Sequence, residues 1–196
     1  MQNIIQEDGL VEYQPNFFSA KQNVEFFAAL KDHIEWQHDE IMIFGRSIIT
    51  KRKVAWYGDE AYEYIYSNNK KIAKPLTTCL KQIKYQLEQQ TGETFNACLL
   101  NYYHDGSEGM GWHSDDEVTM KKHATIASIS LGAERTFMFR HKTSKDQHYI
   151  ELENGSLLLM KGATQDYWKH QLPIRKRIKL PRINLTFRYF SEDSLT

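Results

Sequence analysis

Beyond Gly92 the chain consists of six short β-type segments separated by turn residues. Each segment is enriched in β-branched and aromatic residues, a composition typical of strands. The predicted strands cover about 97–103, 124–131, 135–141, 147–152, 155–160 and 182–190. Gly132-Ala-Glu and Asn154-Gly155 are predicted as turns between neighbouring strands. This succession of short strands restricts the second half of the chain to an antiparallel sandwich or barrel.

Two helices are predicted before these strands. Ser19 and Gln22 form a capping-box pattern. The apolar residues that follow at helical spacing are Val24, Phe27, Leu30 and Ile34. A second helix is predicted from about Pro75 to Gly92, and its apolar stripe is Leu76, Leu80, Ile83 and Leu87. Helices first and strands afterwards predict an α+β fold, with the N-terminal helices packed on one side of the strands.

The composition fits a single domain over residues 1–196, since no linker or repeat divides the chain. Lys plus Arg equals Asp plus Glu at 25 each, so binding to nucleic acid would require a local basic patch. Two cysteines suit a reducing compartment. Because the chain has neither a signal-peptide pattern nor an apolar run of membrane-spanning length, we expect a soluble, cytoplasmic protein with no membrane contact.

The last predicted strand has two contrasting faces. One face carries Arg182, Asn184, Thr186 and Arg188, and the other carries Ile183, Leu185, Phe187 and Tyr189. The polar face is either a wet strand surface or the lining of a ligand cavity. In a cavity, its two guanidinium groups would be able to bind a small carboxylate. Asn101 and Tyr103 share one face of another predicted strand in the same way.

The segment GWHSDDE contains the best candidates for metal ligands. His113 and Asp115 are two positions apart and can chelate one ion from a strand end or a tight turn. His170 is the preferred third ligand, because a sandwich can fold its segment back beside His113. The remaining downstream histidines, which are predicted to be exposed in loops, are His123, His141 and His148.

Two His and one carboxylate on one face of a metal are typical of non-haem Fe(II) oxygenases, in which the open positions hold a co-substrate and dioxygen. A zinc hydrolase with three protein ligands and a bound water is the chemical alternative. That alternative has no need for paired arginines on an inner strand face.

In this order, the motifs resemble the AlkB family of Fe(II)- and 2-oxoglutarate-dependent dioxygenases. The matching segments are NYYHDG, GWHSDDE, IASISLGAERTFMFR, GSLLLM, the histidine of WKHQLP, and RINLTFR. The resemblance extends upstream to KRKVAWYGDEAYEYIYS, over residues 51–67. It implies a double-stranded β-helix, or jelly roll, with a core at about 95–190 and a nucleotide-recognition lid at about 41–70.

The resemblance also assigns roles to individual residues. His113, Asp115 and His170 would hold Fe(II). Arg182 and Tyr103 would hold the distal carboxylate of 2-oxoglutarate, and the residues completing that pocket would be Asn101, Asn184 and Arg188. The implied reaction is the oxidative dealkylation of bases such as N1-methyladenine and N3-methylcytosine in DNA or RNA. It consumes O2 and 2-oxoglutarate and releases succinate, CO2 and an aldehyde.

The base itself would be held by Tyr64, Tyr66 and Ser67, with Tyr66 stacked opposite His113. Asp116 would accept a hydrogen bond from an exocyclic amine of the base. The plainer alternatives are that these tyrosines only pack in a strand and that Asp116 binds backbone or solvent.

Two basic runs are candidate phosphate contacts, namely 51–53, which includes Arg52, and 175–179. The alternative is that both runs are solvated loops. Two other functions remain open for the whole chain: an oxygenase acting on protein or lipid, and a jelly-roll binding module with a degenerate or zinc-loaded site. We expect a monomer, which would be nuclear if the source is eukaryotic.

Overall fold

The computed structural model describes residues 1–5, 7–43, 46–60, 63–66, 69–117 and 119–191, and for 41–43, 46–47, 63–66 and 69–71 the backbone alone. Its helices are α1 (Ala20–His33), α2 (Thr78–Thr91) and α3 (Thr164–Tyr167). The strands of the first half are β1 (Gln2–Ile5), β2 (Leu10–Gln14), β3 (Gln37–Ile43), β4 (Arg46–Gly58), β5 (Glu63–Tyr66), β6 (Asn69–Ile72) and β7 (Lys74–Pro75). Those of the second half are β8 (Ala97–Tyr103), β9 (Met110–His113), β10 (Ile126–Gly132), β11 (Arg135–His141), β12 (Gln147–Leu152), β13 (Ser156–Lys161), β14 (Trp168–Leu172) and β15 (Arg182–Arg188).

The strands form two main sheets. The major sheet has the order β1-β2-β13-β10-β15-β8-β4-β3, with β7 added beside β4, and the minor sheet has the order β12-β11-β14-β9. All pairings within these sheets are antiparallel except that between β4 and β7. This arrangement is a jelly roll with helices, as expected. β5 and β6 form a separate hairpin.

The six predicted strands are confirmed as β8, β10, β11, β12, β13 and β15. The sequence did not predict β1 to β4, β6, β7, β9 or β14. β9 and β14 are short and interrupted by Trp, Lys and Gln, so their apolar alternation is weak. They form strands because each pairs with a neighbour in the minor sheet, which is a tertiary effect.

The apolar stripe predicted for α1 was partly wrong. The residues of α1 that are buried are Asn23, Phe26 and Leu30. Val24 is 72% exposed, whereas Ile34 is the buried C-cap residue. Apolar residues occur all round the second half of this helix, so helical spacing alone did not select one face.

The second helix begins later than predicted. Thr77 caps α2 by accepting the Leu80 N–H, and Pro75 instead pairs with Gly58 in a short parallel bridge. Gly92 ends α2 as predicted, with φ at 71°, a left-handed conformation that glycine adopts at little cost. Within the described ranges, no helix combines the length and the apolar character needed to cross a bilayer.

The two faces of β15 belong to different environments. Its apolar residues pack with α1 and α2 in the largest core cluster, which also contains Leu30, Leu80 and Ile83. Its polar residues point to the opposite side, into a cavity between the two sheets. Every residue of β15 is buried, so the polar face lines a cavity and is not a wet strand surface.

Candidate active site

The register of the minor sheet brings the two predicted histidine ligands together. His113 ends β9 and His170 lies in β14, and the two are direct partners in the ladder. Their Nε2 atoms are 3.1 Å apart. The prediction that the segment of His170 folds back beside His113 is therefore confirmed.

Asp115 completes the group. Its Oδ1 lies 3.8 Å from His113 Nε2 and 4.0 Å from His170 Nε2. The donor atoms of all three residues lie within 4.8 Å of one another. An ion about 2.1 Å from each of two neighbouring ligands separates those ligands by roughly 3 Å, which matches the spacing of the two histidines. Two imidazoles and one carboxylate on one side of an ion are the donor set preferred by Fe(II) in oxygenases.

The histidines are prepared for ligation by their surroundings. His113 Nδ1 lies 2.8 Å from the Gly111 carbonyl oxygen, so Nδ1 carries the proton and Nε2 presents a lone pair. His170 is 3% exposed, and the Phe137 ring stacks on it at a centroid distance of 5.3 Å. Burial, reinforced by the proximity of His113, lowers the pKa of His170 to about 3. His170 is therefore neutral near pH 7, as a ligand must be.

The Asp115 carboxylate is held in its charged form by an arginine. Burial alone would raise its pKa, but Arg188, His170 and His113 more than offset that effect and lower the pKa to about 2. Arg188 Nη2 lies 2.9 Å from Asp115 Oδ1, and its Nη1 lies 3.6 Å from Glu117 Oε1. Arg188 thus contacts two acidic residues, the candidate metal ligand Asp115 and Glu117.

Arg182 lies in the same cavity as the three ligands. The cavity has a volume of about 130 Å³, and its lining includes His113, Asp115 and His170 together with Arg182. Arg182 Nη2 donates to Ser130 Oγ at 2.9 Å, and the guanidinium carbon lies 5.5 Å from the Tyr103 ring centroid. Burial lowers the Arg182 pKa to about 10, with a smaller opposing effect from Tyr103, so Arg182 is still cationic at neutral pH.

No carboxylate lies within ion-pair distance of Arg182 in the part of the chain that the structure describes. A buried cation without an anion is costly unless a ligand supplies the negative charge. The Arg182 Nε atom is also buried without a hydrogen-bond partner. A small carboxylate in this cavity would satisfy both the charge and the donor.

The remaining predicted co-substrate residues line the same cavity. β8 and β15 pair so that Tyr103 lies opposite Arg182 and Asn101 lies opposite Asn184. Asn184 Nδ2 donates to Ser128 Oγ at 2.8 Å and to the Ile129 carbonyl at 3.0 Å. The cavity lining includes Asn101, Tyr103, Arg182, Asn184 and Arg188.

Arg52 requires a correction, because its guanidinium is not exposed for phosphate contact. The residue is 5% exposed, and its Nη2 donates to Asp39 Oδ2 at 2.8 Å. Its Nη1 lies 3.2 Å from Met110 Sδ, and Met110 lines the cavity. The guanidinium is therefore part of a buried ion pair beneath the β3–β4 hairpin.

The predicted base contacts lie outside the triad cavity or outside the described residues. Asp116 is exposed and lines a second cavity of about 240 Å³. Tyr64 and Tyr66 are in β5, where only the backbone is described, and Ser67 lies outside the described residues.

His123, His141 and His148 were predicted to be exposed. His123 and His148 are at least partly exposed, whereas His141 is buried. His123 is exposed, with Nε2 at 2.7 Å from Asp166 Oδ2, and His148 is partly exposed. His141 is 8% exposed and lies 3.3 Å from Asp8 Oδ2. His141 is buried because its strand pairs with β14 and its side chain faces inward, against the N-terminal segment. The local hairpin sequence indicates neither contact.

Two residues near the site were missed by the sequence reasoning. Arg135 is 1% exposed, and its Nη2 donates to the carbonyls of Glu108 and Pro173, both at 2.8 Å. Strand alternation shared with Phe137 and Phe139 indicates its inward direction. Gln165 accepts a hydrogen bond from the Asp115 backbone N–H at 2.9 Å, and no sequence signal indicates this contact.

Comparisons with known proteins agree with this site. A family model described as the 2OG-Fe(II) oxygenase superfamily matches residues 10–188. DNA oxidative demethylase ALKBH2 of Mus musculus is 37% identical over 188 residues, or 92% of this chain and 76% of that protein. Alpha-ketoglutarate-dependent dioxygenase alkB homolog 3 of Homo sapiens is 34% identical over 184 residues, or 89% of this chain and 64% of that protein.

A solved structure supports the fold independently. OsALKBH1 matches with a TM-score of 0.63 at 18% identity, over 91% of this chain and 97% of that one. The ligand set, the arginine in the same cavity and the matched family lead to one conclusion. The chain belongs to the 2OG-Fe(II) oxygenase superfamily, as an AlkB-like dioxygenase that uses Fe(II) and 2-oxoglutarate.

Proposed function

We propose that the chain removes alkyl groups oxidatively from bases of the N1-methyladenine and N3-methylcytosine type in DNA or RNA. The reaction would consume O2 and 2-oxoglutarate and release succinate, CO2 and an aldehyde. The observation that carries this proposal is the 37% identity to mouse DNA oxidative demethylase ALKBH2 over 92% of the chain. The Fe(II) ligands and Arg182 in a single cavity support the same chemistry.

The chain's own residues would bind and orient the reactants. His113, Asp115 and His170 would hold Fe(II) with their Nε2 and Oδ1 atoms on one side of the ion. Arg182 would bind the distal carboxylate of 2-oxoglutarate, assisted by Tyr103. When bound, Fe(II) and 2-oxoglutarate supply the activation of O2 that hydroxylates the alkyl carbon.

The remaining polar side chains of the cavity would complete the co-substrate pocket. Asn101 and Asn184 are opposite each other on β8 and β15 and present amide groups to the same space. Arg188 would keep Asp115 ionised and add positive charge beside the metal. Phe137 and Met160 also line the cavity and would exclude water from the reacting centre.

The base would be contacted by residues outside this pocket. In this proposal Tyr64, Tyr66 and Ser67 hold the base, with Tyr66 stacked opposite His113, while Asp116 accepts from its exocyclic amine. Segment 41–70 would act as the recognition lid over a core at 95–190. A base must leave the helical stack to reach a buried metal site, so a stacking residue and a polar reader are both required.

Phosphate would be contacted by exposed basic residues. The residues of the loop before β15 that are exposed and cationic are Arg175, Lys176, Arg177 and Lys179. Lys51 is exposed as well, and its neighbour Arg52 would anchor the lid through its ion pair with Asp39. We further propose a monomeric enzyme in the cytoplasm, or in the nucleus if the source is eukaryotic, which light scattering and cell fractionation would test.

The deciding experiment is anaerobic reconstitution with Fe(II), followed by addition of O2, 2-oxoglutarate and an oligonucleotide. Oligonucleotides with N1-methyladenine or N3-methylcytosine are compared with unmodified ones, and Asp115→Ala serves as the inactive control. We expect succinate and formaldehyde in equal amounts only with the methylated strands. Succinate release that is indifferent to the methylated base would overturn the proposal and favour an oxygenase with another substrate.

A further inference from the structure

Gln165 makes direct contact with the backbone of a metal ligand. Its Oε1 accepts the Asp115 N–H at 2.9 Å. Gln165 belongs to the short helix α3, which leads directly into β14 and so into His170. The side chain therefore joins the His113–Asp115 segment to the element that supplies the third ligand.

The Asp115 N–H needs such a partner, because β9 ends at His113 and the ladder with β14 does not continue past it. Asp115 is 6% exposed, and a buried backbone donor without an acceptor is costly. The preceding residue is fixed similarly, since Ser114 Oγ donates to the Trp168 carbonyl at 3.0 Å. Two side-chain hydrogen bonds thus replace the missing ladder beside the metal site.

Gln165 is itself held in place by two further contacts, and hydrogen bonds fix the residue before it. Its Nε2 lies 3.3 Å from Met160 Sδ, and Met160 lines the cavity. The backbone carbonyl oxygen of Gln165 accepts a hydrogen bond from Lys142 Nζ at 2.8 Å. The preceding residue, Thr164, accepts the Leu10 N–H at 3.0 Å and donates to the Lys161 carbonyl at 2.6 Å. An acceptor fixed in this way can define the position of the backbone that binds to it.

We propose that Gln165 is a positioning residue for the iron site, which holds the Asp115 carboxylate in register with His113 and His170. Removing its acceptor frees the Asp115 backbone and so lowers metal affinity, as loss of an outer hydrogen bond does in other metal sites. The inference rests on the iron site and does not depend on which nucleic acid base is the substrate.

The test measures metal affinity without any nucleic acid. Mn(II) is titrated into the full-length apo-protein, and free Mn(II) is followed by electron paramagnetic resonance. Gln165→Leu removes the acceptor with a side chain of similar size, and Gln165 is only half-buried, so the fold is retained. We expect Gln165→Leu to weaken Mn(II) binding by about 10- to 100-fold, and Gln165→Glu, which keeps an acceptor oxygen, to restore most of the affinity.

The matched control is Gln171→Leu. Gln171 is adjacent to His170 in the chain, as Gln165 is close to Asp115 in space. Its side-chain amide, however, donates to Met138 Sδ at 3.2 Å and not to a candidate metal ligand. We expect this variant to bind Mn(II) like the parent. Parent-like affinity in Gln165→Leu would overturn the proposal, as would equal losses in Gln165→Leu and Gln171→Leu, or a Gln165→Glu variant as weak as Gln165→Leu. None of these outcomes depends on dealkylation activity, so failure here is distinguishable from failure of the proposed function.

Discussion

His113 and His170 are direct partners across the β9–β14 ladder, with their Nε2 atoms 3.1 Å apart. The hydrogen bond from His113 Nδ1 to Gly111 directs a lone pair of His113 toward this gap. Burial keeps His170 neutral, so its ring is able to offer a nitrogen lone pair to a cation in the same gap. The two rings are therefore placed to ligate one cation together.

Metal removal should lower thermal stability. At a Mn(II) concentration about 100 times Kd, binding adds roughly 2.7 kcal/mol to the free energy of unfolding. For a chain of this length, 1 kcal/mol corresponds to about 2–4 °C in Tm. We expect Mn(II) to raise the Tm of the EDTA-treated protein by about 5–10 °C, measured by scanning calorimetry. His170→Gln should lose this shift and His33→Gln, on the exposed end of α1, should keep it. An undiminished shift in His170→Gln would exclude His170 as a ligand.

Acid should destabilise the metal-free protein through His170. Its pKa is about 3 in the folded protein, against the usual histidine value of 6.5, so the unfolded chain binds the extra proton first as the pH falls. The stability that the neutral ring contributes is complete above pH 6.5 and is lost as pH falls toward 3. Asp115, with its pKa lowered to about 2, adds a second loss only below about pH 4.

Urea denaturation of the EDTA-treated protein at pH 7.5, 6 and 5 measures this effect. We expect the free energy of unfolding to fall less steeply with acid in His170→Asn than in the parent, because Asn binds no proton. His33→Asn is the control for an exposed histidine. Identical slopes for the parent and His170→Asn would show that His170 titrates normally in the folded protein.

Arg182 should determine the affinity for 2-oxoglutarate. Its guanidinium is buried without a carboxylate partner in the described part of the chain, and Lys cannot form the same two parallel hydrogen bonds. Loss of one charge-assisted hydrogen bond costs about 1.5–3 kcal/mol, so we expect Arg182→Lys to raise the KM for 2-oxoglutarate by about 10-fold or more. The assay is succinate release at saturating oligonucleotide, with exposed Arg175→Lys as the control. An unchanged KM would remove Arg182 from this role.

Asp115 and Asp116 should have different functions, metal binding for Asp115 and base selection for Asp116. Asp115 is buried between both histidines and Arg188, so Asp115→Ala should abolish both Mn(II) binding and turnover. Asp116 is exposed and does not line the triad cavity, so Asp116→Ala should bind Mn(II) normally. We expect Asp116→Ala to change the ratio of turnover on N1-methyladenine to that on N3-methylcytosine oligonucleotides. A ratio equal to that of the parent would mean that Asp116 does not read the base.

Most of the jelly roll could be predicted because its strands carry a period-two pattern of their own. The polar and apolar faces of β15 are the clearest example, since one face packs against α1 and α2 and the other lines the cavity. β9 and β14 could not be predicted, because they owe their strand form to pairing with partners about 57 residues apart in the chain.

The ligand set could be predicted from local spacing and a family resemblance, whereas the contacts that support it could not. Gln165 reaches Asp115 across 50 residues, and Arg52 finds Asp39 only because β3 folds back on β4. The sequence of a charged run such as 51–53 does not indicate whether its central arginine is solvated or buried. The distinction depends on which side of β4 each residue occupies, and that side is fixed only by the register with β8.

Arg52 and the loop 175–179 should therefore respond differently to mutation. Arg52→Ala breaks an ion pair whose side chains are 6% and 1% exposed, and breaking such a pair costs about 3–5 kcal/mol. We expect a lower midpoint of urea denaturation for Arg52→Ala. Alanine at Arg175, Lys176, Arg177 and Lys179 should leave stability almost unchanged, because all four side chains are exposed.

The salt dependence of oligonucleotide binding should show the opposite order. Each phosphate contact contributes about 0.7–0.9 to the slope of log K against log salt concentration, so the fourfold loop variant should have a flatter slope. Arg52→Ala should keep the parent slope, since its guanidinium already has Asp39 as its counter-ion. Fluorescence anisotropy between low and moderate salt measures both, with alanine at the exposed helix residues Lys31 and Lys81 as the control for a loss of charge elsewhere. A flattened slope in Arg52→Ala, measured where the variant is still folded, would return Arg52 to the phosphate-binding surface. A parent slope in the loop variant would remove residues 175–179 from that surface.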